Sequence, residues 1–145
     1  MKAARYYGIE DVRIEDVPEH PPSEGEVKVR VAFNGICGSD LHEYFEGPRA
    51  VPLVPHPLTG VSAPVILGHE AAGYVAGVGR GVSGVGEGDL VVIDPLHPCH
   101  RCPSCQAGHH NLCDRLAMHG YSTTGGGLSE YTVVPSSMVV ATPPG

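Results

Sequence analysis

No two lysines or arginines stand next to each other anywhere in this 145-residue chain, and its formal net charge is −7. A nucleic-acid surface needs a basic stripe to meet phosphates, so no nucleic-acid partner is expected. A membrane-surface role would want the same missing cations. No apolar run approaches the roughly 20 residues that span a bilayer. Met1-Lys2-Ala3-Ala4-Arg5-Tyr6 leads straight into a strand-like pattern, without an apolar signal region. The cysteine count is odd, five. Without a secretory signal, that favours reduced thiols holding metal over a disulfide framework. The expected compartment is the cytoplasm, with no membrane partner.

Long uninterrupted helices are lacking too. Twenty glycines and 14 prolines break up the chain and favour a loop-rich β architecture. Val27-Lys28-Val29-Arg30-Val31 alternates apolar and polar residues, the period of a half-buried strand. Val12-Arg13-Ile14-Glu15-Asp16-Val17 repeats the pattern less cleanly, with residues 2–7 as a partner. Further strands are expected over 65–67, 71–78, 90–93 and 129–134. A short helix is expected over 39–45, capped by Ser39 or Asp40. The proline-rich stretch 47–64 reads as an irregular loop. The length suits one domain with one modest core, and no repeat or linker divides it. Ala141-Thr142-Pro143-Pro144-Gly145 is turn-like and reads as a stop in mid-protein.

Four of the five cysteines form Cys99-x2-Cys102-x2-Cys105-x7-Cys113. Closely spaced thiolates on a tight loop can surround a tetrahedral zinc and leave no position for chemistry. Pro98, Pro103 and Gly108 help to fold such a loop, whose folding then depends on the metal. A nucleic-acid zinc ribbon would show two well-separated cysteine pairs, which this spacing does not. His97, His100, His109 and His110 are read as exposed loop residues, since four thiolates already complete the tetrahedron.

The fifth cysteine, Cys37, needs distant partners, and Gly68-His69-Glu70 offers an imidazole beside a carboxylate. Cys37, His69 and Glu70 would form an open zinc site able to act as a Lewis acid. Ser39 lies two residues after Cys37, where its hydroxyl could meet the substrate alcohol. His42 lies one helical turn further, placed to pass a proton toward solvent. Gly79-Arg80-Gly81-Val82-Ser83-Gly84 satisfies a bare dinucleotide-binding pattern. That pattern requires a helix to follow. Here Leu90-Val91-Val92-Ile93, a strand, follows instead, so the segment is read as a glycine-rich β turn.

Gly68-His69-Glu70-x2-Gly73-x5-Gly79-x2-Val82 resembles the zinc signature of the medium-chain alcohol and polyol dehydrogenases at every specified position. Gly35-Ile36-Cys37-Gly38-Ser39-Asp40-Leu41-His42 resembles that family's catalytic-cysteine segment. Gly88-Asp89, the four-cysteine lobe and Gly126-Gly127-Leu128-Ser129-Glu130-Tyr131 match further landmarks in order. Tyr6-Tyr7-Gly8, Asp11-Val12-Arg13-Ile14-Glu15 and His56-Pro57-Leu58-Thr59-Gly60 look most like the 2,3-butanediol dehydrogenase branch, with sorbitol and threonine dehydrogenases as near alternatives.

The resemblance implies a mainly β fold for residues 1–145, a GroES-like antiparallel β-barrel catalytic domain with short helices and a zinc lobe at about 95–115. It implies one structural and one catalytic zinc, and NAD or NADP as hydride acceptor. The substrate would be a small alcohol or diol, and Ser39 and His42 would relay its proton. Members of the family continue into a Rossmann domain that this chain lacks, so the chain alone is expected to be inactive. The full-length protein is expected to be a homo-oligomer. A zinc-stabilised GroES-like module without chemistry is the alternative.

Overall fold

The computed structural model describes residues 1–143. The apolar alternation of the sequence becomes antiparallel pairing throughout. β1 (Lys2–Gly8), β2 (Asp11–Asp16) and β4 (Val65–Ile66) form a three-stranded sheet ordered β2-β1-β4. β3 (Glu26–Asn34), β5 (Ala71–Val78), β6 (Leu90–Ile93), β9 (Tyr131–Pro135) and β10 (Val139–Ala141) form a five-stranded sheet ordered β10-β6-β5-β3-β9. A third, two-stranded sheet pairs β7 (Leu96–His97) with β8 (Ala117–Met118). The antiparallel ladders form the mainly β architecture expected of a GroES-like domain. The segment before β9 stitches the first two together. The Ala4 amide donates to Leu128 O at 2.8 Å, and the Val31 amide to Glu130 O at 3.0 Å.

Val27 and Val29 of β3, Val75 of β5, Val91 and Ile93 of β6 and Val134 of β9 fill the inner face of the larger sheet. Lys28 and Arg30 alternate with the buried valines and point away, as the period of two requires. A second core gathers Tyr6, Val51, Val65, Leu67 and Tyr121 under the smaller sheet. No helix among the described residues is long and apolar enough to cross a membrane.

The strands expected over 71–78 and 90–93 form with those bounds, and the others differ by a few residues at their ends. The helix is α1 (Gly38–Glu46), and its N-cap is Cys37 rather than Ser39 or Asp40. Asp40 caps from inside instead, its Oδ2 accepting the Cys37 amide at 3.0 Å, the reciprocal half of a capping box. The loop over 47–64 is irregular, as its prolines require, but it is anchored. The buried Glu43 carboxylate accepts the backbone amides of Arg49 at 3.0 Å and Ala50 at 2.6 Å. Periodicity has no way to announce that contact. The glycine-rich stretch after β5 is a turn leading to β6, with no helix. Gly79 serves packing there, because a Cβ on it would lie 1.6 Å from Ser23 O. Of the terminal turn-like stretch, Pro144 and Gly145 lie outside the described residues.

One buried polar group has a consequence for pH. His119 is fully enclosed, with Nε2 3.0 Å from Thr132 Oγ1 and Nδ1 3.2 Å from Thr123 Oγ1. Burial pushes its pKa down to about 4, helped by the neighbouring His69 and His97. An unfolded histidine protonates near 6.5, so between about 6.5 and 4 the unfolded chain binds more protons than the folded one. Stability therefore falls as pH drops through that window, by at most ~1.4 kcal/mol per pH unit from this group. Above it, His119 contributes no pH dependence. Glutamine keeps one donor and one acceptor for the two threonines but cannot titrate. The melting temperature of His119→Gln should fall less between about pH 7 and about pH 5 than that of the parent chain; equal losses would show that His119 does not carry the acid sensitivity.

Candidate metal centres

Between β7 and β8 the chain loops out and returns. The neck is closed by the pairs Leu96↔Met118 and His97↔Ala117. Inside this lobe Cys99, Cys102, Cys105 and Cys113 bring their sulfur atoms within 4.8 Å of one another, and all four are free thiols. Pro103 starts the short helix α2 (Pro103–Gln106), which turns Cys105 inward. The amides of Cys99 and Arg115 donate to Cys113 Sγ at 3.2 and 3.4 Å. Backbone hydrogen bonds, that from Arg101 first, pull Cys99 down to about 6. Burial pushes Cys105 up to about 12. A cation bound among the four sulfurs would ionise all of them. The donor set, four convergent sulfurs without a disulfide, fits a tetrahedral zinc. His100, His109 and His110 lie exposed on the lobe as expected. His97 does not: it pairs in β7 and is half-buried, because the neck of the lobe is a strand pair rather than loop.

The second cluster forms at one end of the β3–β5 ladder. Register pairs Asn34 with Ala71, and the Gly35 amide donates to Glu70 O at 3.0 Å. Cys37, just past β3, and His69 and Glu70, just before β5, thus converge, with one ligand atom of each within 4.8 Å of the others. Gly35 makes room for this, since a Cβ there would lie 2.1 Å from Glu70 Oε2. Cys37 is half-buried, His69 buried and Glu70 exposed, a gradient that leaves one side open. Thiol, imidazole and carboxylate together form a donor set of borderline softness, fit for zinc with a position to spare.

Ser39 sits within this cluster, its Oγ 3.3 Å from His69 Nε2. His42 is exposed to solvent on α1, with Nδ1 3.2 Å from Glu46 Oε1. Among the described residues no hydrogen bond joins Ser39 to His42. The structure adds two residues that sequence reasoning missed. Asp40 is buried, with Oδ1 3.5 Å from His69 Nδ1. Its place in the Cys37-Gly38-Ser39-Asp40 segment was the available signal, but it read only as a cap. Tyr121 comes from 82 residues beyond Ser39. Its Oη lies 2.9 Å from Ser39 Oγ and 3.0 Å from Asp40 Oδ1. Its ring packs 4.8 Å from that of His69. Burial and the Asp40 carboxylate raise its phenol pKa, although the Ser39 contact opposes them. No local pattern could have announced it.

Comparison with known proteins agrees with this arrangement. The family described as the alcohol dehydrogenase GroES-like domain matches residues 23–144. The (R,R)-butanediol dehydrogenase of Bacillus subtilis (strain 168) is 43% identical over 144 residues, which are 99% of this chain and 40% of that protein. D-xylulose reductase A of Aspergillus niger is 36% identical over 137 residues, 94% of this chain and 36% of that protein. The crystal structure of 2R,3R-butanediol dehydrogenase from Bacillus subtilis superposes with a TM-score of 0.91, covering 98% of this chain and 40% of that one. The chain thus spans about 40% of the length of the first of these relatives. By its matched segment, its antiparallel sheets and its two donor clusters, the chain belongs to the GroES-like domain family of the alcohol dehydrogenases.

Proposed function

We propose that this chain is the catalytic-domain portion of a zinc- and NAD(P)-dependent alcohol dehydrogenase that oxidises 2,3-butanediol or a related vicinal diol and reduces acetoin in reverse. The observation that carries the reading is the convergence of Cys37, His69 and Glu70 beside Ser39. It occurs in a chain 43% identical to a butanediol dehydrogenase. A scaffold without chemistry needs the closed four-cysteine lobe but not an open cluster. The similarity to a D-xylulose reductase favours a polyol substrate as the second reading. Residues 1–145 form one catalytic domain with its zinc lobe at about 95–115, and the nicotinamide-binding domain lies outside this chain. The full-length protein is a cytoplasmic homo-oligomer acting on small molecules, with neither nucleic acid nor membrane as partner.

Cys37 and His69 would hold a catalytic zinc, with the Glu70 carboxylate in reach. Cys99, Cys102, Cys105 and Cys113 would hold a structural one. A zinc ion in the open site supplies Lewis acidity, which lowers the pKa of an alcohol hydroxyl. Ser39 Oγ, beside His69, accepts the hydroxyl proton. His42, one turn along α1, stands at the solvent end of that path, to which Ser39 would pass its own proton on. A nicotinamide cofactor, held outside this chain, would supply the hydride acceptor, so each alcohol would give up one proton by way of Ser39 and one hydride to that cofactor.

Four outcomes test the proposal. Cys105→Ser should lower both the zinc content found by elemental analysis and the melting temperature. Unchanged values would remove the structural zinc from the account. The full-length protein should show its highest kcat/KM with 2,3-butanediol when compared with sorbitol, threonine and ethanol, whereas a preference for threonine or ethanol would move it to another branch. In that protein Ser39→Ala should slow turnover by about 10²–10⁴-fold, the usual worth of acid–base assistance. His42→Ala should cost less and recover with small amine buffers; no response to buffer would remove His42 from the proton path.

A further inference from the structure

The hydrogen-bond accounting around Ser39 leaves little freedom. An Asp40 carboxylate can only accept. Its Oδ2 takes the Cys37 amide at 3.0 Å, and its Oδ1 has the Tyr121 hydroxyl at 3.0 Å. Tyr121 owns one proton, and a bond to a carboxylate is stronger than one to another hydroxyl, so that proton points at Asp40. Tyr121 Oη then has only lone pairs for Ser39 Oγ, 2.9 Å away. The Ser39 proton is therefore the one shared on that contact, and Ser39 turns a lone pair toward His69.

His69 completes the pattern. Nδ1 is buried, has no hydrogen-bond partner within normal distance and faces Asp40 Oδ1 at 3.5 Å. A nitrogen lone pair aimed at a carboxylate is repelled, so the ring proton belongs on Nδ1. That leaves the Nε2 lone pair free on the Ser39 side, 3.3 Å from Ser39 Oγ. Ser39 has two acceptors in reach, Tyr121 Oη and His69 Nε2. If its proton turned to Nε2, it would occupy the lone pair that a metal must use, and Ser39 would no longer be set to accept a proton from an alcohol.

We propose that Tyr121 is a positioning residue that draws the Ser39 proton away from His69, keeping the His69 Nε2 lone pair free for metal and Ser39 Oγ poised as a proton acceptor. The Tyr121 ring is almost wholly enclosed and packs on the imidazole, so the hydroxyl is held in register rather than sampled. The inference rests on the reading of Cys37 and His69 as metal ligands, but its hydrogen-bond part can be tested without metal in the open site.

The decisive variant is Tyr121→Phe, which removes one oxygen and keeps the ring packed on His69. The first measurement is the ring ¹⁵N spectrum of His69 in the chain with the four-cysteine lobe filled by zinc and the open site empty. Nε2 should carry the signature of a bare lone pair in the parent. In Tyr121→Phe it should move toward that of a hydrogen-bonded lone pair, as the Ser39 proton turns to it. The double variant Ser39→Ala/Tyr121→Phe should restore the bare-lone-pair position, which a mere packing change would not do. The second measurement is cobalt titration, followed through the thiolate-to-cobalt absorption of Cys37, with the four-cysteine lobe already filled by zinc. Tyr121→Phe should weaken that site by about tenfold, the equivalent of one hydrogen bond. An unmoved Nε2 signal in Tyr121→Phe overturns the inference, whether or not cobalt binds. A moved signal with equal cobalt affinity overturns its metal-ligand half. If the signal moves but the parent takes no cobalt at Cys37, the Tyr121 arrangement stands and the zinc reading of the open site falls.

Discussion

The register of β3 against β5 is the constraint on which the open site depends. Cys37 and His69 come from separate loops, and neither loop has regular structure to hold it. What places them is the last rung of a ladder, Asn34 opposite Ala71, extended by the Gly35 amide on Glu70 O. Shifting that register by one residue would turn every side chain of one strand to the other face. If that strand is β3, Val27 and Val29 would then leave the core together. Core packing thus fixes the register, and the register sets Cys37 across from His69. Chemistry at the rim is enforced by valines deep in the sheet.

A second layer of constraint is polar. Asp40 caps α1 from its third position, and in doing so its carboxylate comes to lie under His69 and Tyr121. One side chain therefore fixes the helix start, takes the Tyr121 proton and faces the imidazole. Glu43, one turn along, does comparable work for the proline-rich loop through the Arg49 and Ala50 amides. Both carboxylates are buried on a nine-residue helix. Backbone amides and a phenol satisfy them where no lysine or arginine is paired with either, in keeping with a chain short of cations.

Much of this could be read before any coordinates, and the reason is local. Alternation over β3, β5 and β6 needs only neighbours in sequence, so those strands were legible. Four cysteines within one short loop declare their own convergence. Cys37 with His69 and Glu70 could be joined by their donor chemistry and then by resemblance to a family, although their spacing carries no geometry. Beyond that reach lay everything decided by tertiary contact. Ser39 looked like a cap because a serine before a helix usually is one; it lost that place when Asp40 turned back to the Cys37 amide, and its hydroxyl faces His69 and Tyr121 instead. His97 looked like loop because a two-residue strand has no readable period. Tyr121 lies in a stretch of small polar and glycine residues whose sequence favours only a turn.

The two clusters are also related by the path of the chain. The lobe hangs from the β7–β8 neck, and Tyr121 follows β8 at once, its amide bonded to Met118 O at 3.1 Å. A metal held by the four thiolates would limit the wandering of the chain between the two halves of that neck, which is the entropic role of any cross-link around a loop. The neck in turn sets where the return loop starts, and so where the Tyr121 hydroxyl meets Ser39 and Asp40. The lobe needs no contact with the open site to matter to it. Its part is to deliver one phenol to within hydrogen-bonding distance of a residue 82 positions earlier.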